Sequence, residues 1–494
     1  MTRGSVLQGF SFFPRGGSAQ VVRYLTAALL EAGWAPRIVT GSLGAAGSPS
    51  NAETFFAGLP LSAVDFTPAL DAWGRGEDPL DRPVPLHASY ENKPGAPDRV
   101  FAAVSPELAV RQVDSWRRVL IGLGPFGPVV LHLHHLTPLH DAAQSVWPEV
   151  PVITHLHGTE LLMLEQIEQY SGAGGKGSPI GVSVSWRYSG YWADRLRATA
   201  QRSTRILAVS TDHAARAVRV LGVPEDRVTV IPNGVDTERF RPLDLTPRER
   251  LQLLQRWLVD DPRGWDESGR PGSVRYSLDE LSAFVDSTHM RPVLLYVGRF
   301  TAVKRLPLLL RAYARVRSRL GPVAPLVIWG GHPGEWEGRH PYSLVKQERV
   351  DGVFFVGWRG HEDLRLGLGC ADLLVVPSVG EAFGSVYLEA MSAGLPVVAT
   401  GTGGPPTFLN LESGSPEGWL IPPDDEDALV EVLTTALTCP TERLARAEAA
   451  RALVRRGYSW QAVADKVADV YEEVRHLSSR DRPSGVRHRS RRPG

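Results

Sequence analysis

The chain has 494 residues, enough for two or three domains, and is 43% hydrophobic and 22% charged, a globular and soluble balance. Its formal net charge is zero, which argues against bulk nucleic-acid binding. The two cysteines, Cys370 and Cys439, stand in no metal-type or redox pair, so a reducing compartment is expected.

The start, Met1-Thr-Arg-Gly-Ser-Val-Leu-Gln-Gly, has no long apolar signal core, and no run of about 18 apolar residues occurs. A cytoplasmic protein is expected. Lysine occurs only at 93, 176, 304, 346 and 466. In an arginine-biased chain, a lysine kept in a good place carries extra interest.

In chain order, Val6 to Phe13 predicts a first strand. Pro14-Arg15-Gly16-Gly17-Ser18 follows, then an amphipathic helix from about Ala19 to Ala32. Gly16 and Gly17 would let a backbone come close to a phosphate, although many ordinary α/β turns carry Gly-Gly. Arg37–Thr40 predicts a second strand, while residues 41 to 100 are loop-rich and resist ordering. Gly122-Leu-Gly-Pro-Phe-Gly127 matches a dinucleotide fingerprint but precedes a strand instead of following one, which removes the main support for a nicotinamide enzyme.

His132, His134, His135 and His140 cluster after that stretch without Cys or carboxylate partners at ligand spacing. A strand ending in a polar cleft is favoured over a metal site. His155 and His157 are expected to alternate to opposite faces of a strand in Pro151–Glu160, one of them facing a cleft. Ser171 to Ser178 reads as a flexible acceptor lid, and 243–291 as a charged insertion of unknown role.

The second half restarts the strand–helix alternation at Val293. Arg299 ends a strand and Lys304 opens the next helix, two cations at the carboxyl edge of a sheet that can clamp a diphosphate. A solvated basic turn is the plain alternative. Further on, the strand Asp372–Pro377, the loop Gly380-Glu381-Ala382-Phe383-Gly384, a helix from Ser385 and the strand Pro396–Thr400 form one unit. The loop feeds free N–H groups into a helix start, which attracts phosphate. Glu381 and Glu389 suit hydroxyl groups on either side of that phosphate. A diphosphate with a sugar at each end is a nucleotide sugar; two solvated glutamates on an ordinary unit are the alternative. The acidic run Pro422–Ala428 reads as a helix start rather than a metal site.

These stretches, with Ile231-Pro-Asn-Gly-Val-Asp236 and Leu395-Pro-Val-Val-Ala399, resemble a GT-B glycosyltransferase of the large retaining family numbered four, over nearly the whole chain. The resemblance implies an α/β fold of two Rossmann-like, doubly wound domains facing a cleft. It implies residues 1–222 as acceptor domain, 223–457 as donor domain and 458–477 as a helix crossing back to the first domain; 478–494, polar and arginine-rich, is expected to be a disordered basic tail. It implies that Arg299 and Lys304 hold the donor diphosphate, that Glu389 binds the ribose, and that Glu381 contacts the transferred sugar. The N–H groups of Phe383, Gly384, Ser385 and Val386 would meet sugar and phosphate. Gly16 and Gly17 would approach the diphosphate, and His157 would touch the donor sugar.

The expected activity is retaining transfer of a sugar from a nucleoside diphosphate sugar, UDP-sugar first, to a small-molecule or lipid-linked hydroxyl. No metal or other cofactor is expected, and peripheral contact with the inner membrane face is kept open. A nucleotide-sugar hydrolase or epimerase and a non-catalytic binding subunit are the alternatives. Pro405-Pro-Thr-Phe408 stands where the family has a glutamate after Gly403-Gly404.

Overall fold

The computed structural model describes residues 3–91, 96–172, 186–286, 289–409 and 416–480. The lid expected at 171–178 and the tail expected at 478–494 fall largely outside these residues. The chain divides into two compact units, one of Met1–Ala208, Ala214–Ile231 and Val463–Gly494, the other of Val209–His213 and Pro232–Ala462.

The N-terminal unit holds a parallel sheet of β1 (Ser5–Phe10), β2 (Ala35–Ser42), β3 (Leu61–Asp65), β4 (Val130–His134), β5 (Val152–His155), β6 (Arg205–Ala208) and β7 (Val228–Val230), in the order β3-β2-β1-β4-β5-β6-β7. The C-terminal unit holds β8 (Leu294–Gly298), β9 (Leu326–Gly330), β10 (Val353–Gly357), β11 (Leu373–Val375), β12 (Val397–Thr400) and β13 (Trp419–Ile421), in the order β10-β9-β8-β11-β12-β13. Apolar runs such as Leu294-Leu-Tyr and Val397-Val-Ala are buried, as strands covered by helices on both faces must be. Both sheets are the doubly wound type, and the second has the nucleotide-binding strand order. Strand order reverses between β1 and β4 in one sheet and between β8 and β11 in the other, and ligands of such sheets sit at the carboxyl ends there.

Three expectations need correction. β7 completes the first sheet, so the chain divides after Ile231, not at 222/223. The last helix runs from Trp460 to Arg480, three residues into the expected tail, and from Val463 it belongs to the N-terminal unit. There Tyr471 packs on Trp34, ring centroids 5.0 Å apart.

The third concerns 243–291, expected as a charged insertion with no repeated apolar face, which in fact contributes to the C-terminal core. Trp257, Leu258, Trp265, Val274 and Phe284 are all buried. Arg263 bridges to Gly357, so the insertion lies along the exposed edge of β10 and covers a strand that would otherwise be open to mispairing. Leu251, Leu254 and Leu258 do recur at helical spacing along the helix Pro247–Gln255 and the turn after it, but from Asp261 on the buried residues follow neither the 3.6 nor the 2 period.

Candidate active site

In the C-terminal unit, the loops after β8 and β11 flank the point where strand order reverses, and they are tied together. The Val379 N–H donates to the Val303 carbonyl at 2.8 Å, and the Ser378 hydroxyl donates to the same oxygen at 3.1 Å. Lys304 thereby reaches Glu381, and the two form an ion pair with each side chain 16% exposed. Burial raises the Glu381 carboxyl, but Lys304, the Ser378 hydroxyl and Arg299 together outweigh burial and hold it below its ordinary value. Arg299 itself is exposed, and its carbonyl accepts from the Tyr296 hydroxyl at 2.9 Å. Two cations and one ionised carboxylate converge on one sheet edge.

The loop is shaped by glycines. Gly380 and Gly384 sit at φ of +74° and +92°, a region closed to most side chains. Gly384 opens the helix Ser385–Ser392, which no side chain caps. Its first N–H groups therefore face outward with the positive end of the helix behind them. The Phe383 ring is buried against Phe408, centroids 5.4 Å apart, so Phe383 can serve a ligand only through its backbone. Phe408 comes from the segment that departs from the family pattern; its role here is to wedge the loop.

Glu389, one turn into this helix, accepts from His361 Nε2 at 2.8 Å. His361 begins the helix after β10 and was not singled out in the sequence. Nothing in its spacing from Glu389 signals the contact, because the two are brought together by the sheet.

In the N-terminal unit, Gly16 at φ +71° begins the helix Gly16–Glu31, and a methyl group on Gly16 or Gly17 would meet nothing within 4 Å. A cavity of about 80 Å³ beside them is lined by Phe12, Phe13, Arg15, Ser18, His87 and Asp98. Burial lowers the His87 imidazole, against the pull of the nearby Asp98 carboxylate.

His157 follows β5, and its N–H donates to Glu160 at 2.6 Å. Contrary to expectation, His155 and His157 lie on the same side, rings 4.8 Å apart and 16° from parallel. Residues two apart share a face of the pleat, so alternation could never separate them. They extend a ladder on one face of the sheet, with one set of tautomers satisfying it. His157 Nε2 donates to His134 Nδ1 at 3.0 Å, and His134 Nε2 to Gln8 Oε1 at 2.8 Å. Gln8 Nε2 donates to Tyr471 at 2.9 Å, and the Tyr471 hydroxyl to His132 Nδ1 at 2.6 Å. His132 Nε2 then donates to His155 Nδ1 at 3.2 Å. His132, His134 and His155 each bring a nitrogen within 4.8 Å of the others, a grouping that could take a metal ion. Within the trio one hydrogen bond is made, His132 to His155, and the other ring bonds run to Tyr471, Gln8 and His157.

That ladder makes a pH prediction. Burial pushes His132 and His134 well below their ordinary value and His140 down to about 3. Below about pH 6.5 these rings take up protons in the unfolded chain but not in the folded unit, so stability falls as pH drops. The slope is about 1.4 kcal/mol per pH unit per ring, or roughly 6 kcal/mol for three rings by pH 5. Thermal melts should show the N-terminal unit losing most of its stability between pH 7 and pH 5. An unchanged Tm across that range would contradict the neutral ladder.

The family described as "Glycosyl transferases group 1" matches residues 279–460, and that described as "Glycosyltransferase Family 4" matches residues 15–239. Residues 279–460 thus carry a group 1 glycosyltransferase domain and residues 15–239 a family 4 one, on a fold of GT-B type. Among curated relatives, the D-inositol 3-phosphate glycosyltransferase of Saccharomonospora viridis is 31% identical over 275 residues, which cover 54% of this chain and 55% of that one. The chain thus spans about half the length of the curated relatives it matches. Among solved structures, sucrose-phosphate synthase of Thermosynechococcus elongatus superposes with a TM-score of 0.61 at 19% identity, covering 96% of this chain and all of that one. Anabaena HepE in complex with UDP-glucose gives 0.60 at 16% identity, covering 95% and 99%. At such identities the likeness is one of fold. Among the described residues, no helix is long and apolar enough to cross a membrane.

Proposed function

We propose that this protein is a retaining glycosyltransferase that moves a sugar from a nucleoside diphosphate sugar to an acceptor hydroxyl. The observation that carries the proposal is the meeting of Lys304, Arg299 and Glu381 beside an uncapped helix start at the point where strand order reverses. The chemistry such a site offers is electrostatic. As the glycosidic bond to phosphate breaks, negative charge grows on the departing diphosphate, and fixed cations and N–H groups stabilise it without reorganising. Arg299 and Lys304 take the diphosphate, and the N–H groups of Gly384, Ser385 and Val386 take its oxygens and the sugar. Glu381, kept ionised, accepts from hydroxyls of the transferred sugar. Glu389, oriented by His361, accepts from the ribose. Cations and amides suffice for the charge, so the proposal includes no metal.

UDP-sugars are the first donors to try, because an Anabaena structure of this fold was solved with UDP-glucose. The acceptor is proposed as a small molecule or a lipid-linked hydroxyl. The relatives' name makes a polyol phosphate the first to test.

Two substitutions check the donor contacts. Gly17→Ala has open space around the added methyl, so Tm should hold, while donor KM should rise at least roughly 10-fold if the diphosphate approaches there. A normal KM would remove Gly17 from the site. His361→Ala leaves Glu389 without its orienting partner, and donor KM should rise several-fold with kcat little changed. Loss confined to kcat would contradict the ribose role of Glu389.

A further inference from the structure

The 243–291 insertion reaches the diphosphate clamp from behind. Trp265, 1% exposed, stacks on Phe300 with centroids 5.3 Å apart and planes 26° from parallel. Phe300 directly follows Arg299 and stands four residues before Lys304. The Trp265 indole N–H also donates to the Gly331 carbonyl at 3.0 Å, in the loop after β9. A methyl group on Gly331 would lie 2.5 Å from the Phe300 ring, so this ring is held between two walls. His340 closes the box, 4.6 Å from Trp265 and 5.7 Å from Phe300 by ring centroids.

The same loop holds the clamp by its backbone. The Glu337 N–H donates to the Phe300 carbonyl at 2.8 Å, and the Glu337 carboxylate accepts from the Ala302 N–H at 2.7 Å. The insertion that supplies Trp265 is itself fixed. Arg359, its side chain 2% exposed, donates to the Asp261 carboxylate at 3.0 Å and to the Trp257 carbonyl at 3.2 Å. Trp257 packs edge-on against Trp329 of β9, centroids 4.9 Å apart.

We propose that Trp265 and Glu337 are positioning residues for the donor diphosphate, Trp265 holding the clamp by the Phe300 ring and Glu337 by the Ala302 N–H. The inference rests on the reading of Arg299 and Lys304 as the diphosphate clamp. Neither positioning residue touches the donor; both fix the loop from which the two cations project. A clamp that wanders by about an ångström loses much of its preorganisation, which is felt as weaker donor binding and slower transfer.

The test titrates UDP, GDP, ADP and dTDP into the unaltered protein and takes the tightest as probe. Its Kd is then measured for Trp265→Leu, Trp265→Phe, Glu337→Ala and Glu337→Gln, with Lys304→Ala as control. Trp265→Leu should weaken binding about 10-fold, with Trp265→Phe, which keeps a stacking ring, restored to within about threefold. Glu337 is exposed, so Glu337→Ala should fold normally, weaken binding about 3- to 10-fold, and be partly rescued by Glu337→Gln. If Trp265→Leu does not fold, Glu337→Ala decides. Unchanged binding in Glu337→Ala and in any folded Trp265→Leu, with binding lost in Lys304→Ala, overturns the positioning role alone. Unchanged binding in Lys304→Ala as well overturns the clamp reading beneath it.

Discussion

Lys304→Ala is expected to lower turnover at least roughly 100-fold, the scale of losing one preorganised charge contact to a leaving group. Lys304 is the cation that reaches the carboxyl edge most directly, held there by Glu381 on the neighbouring loop. Removing it has a second cost. Glu381 would lose the partner that does most to offset its burial, so its carboxyl would rise. Glu381→Gln separates the two effects. It keeps shape and hydrogen bonding but removes the charge, and it should also cost about 100-fold if the carboxylate itself meets the sugar. The check is steady-state turnover with the preferred donor at saturating acceptor. Near-normal rates in both variants would sink the site.

Gly404→Ala should also be damaging, for a steric reason. A methyl group there would lie 2.2 Å from the Phe383 carbonyl oxygen and 2.4 Å from its Cα, both backbone atoms. Phe383 cannot retreat, because Phe408 packs against its ring. The Gly404 N–H donates to the Glu381 carbonyl at 2.8 Å, so any shift is passed to the carboxylate next to the clamp. Overpacking of this kind costs roughly 1–3 kcal/mol. The expected result is a lower Tm together with at least about a 10-fold loss of donor affinity. A folded Gly404→Ala protein with normal affinity would show that the loop is not held from behind as described.

Much of this was legible before the structure. The runs at Val293, Asp372 and Pro396 fell within a residue or two of strands because short β-branched or apolar runs ending in turn residues have few other uses in an α/β chain. The positions of Arg299, Lys304 and Glu381 near strand ends were legible for the same reason, and Glu389 from its place one turn into the helix Ser385–Ser392. What could not be read were contacts made by folding alone. His361 meets Glu389 across two helices, and Trp265 meets Phe300 from the part of the insertion after Asp261, whose apolar residues follow no period. β3, in the loop-rich stretch from 41 to 100, was missed because it is an edge strand with little burial to leave a pattern. His155 and His157 were misplaced by a slip of the strand period, not by any subtlety of the fold.

The account stands or falls on release of nucleoside diphosphate from UDP-, GDP-, ADP- and dTDP-sugars, with and without polyol phosphates and a lipid and small-molecule extract as acceptor. It predicts release from one donor, dependent on acceptor and lost in Lys304→Ala. Equal release without acceptor would make the protein a hydrolase or epimerase. No release from any donor, despite a nucleotide raising Tm, would contradict catalysis and leave a binding subunit.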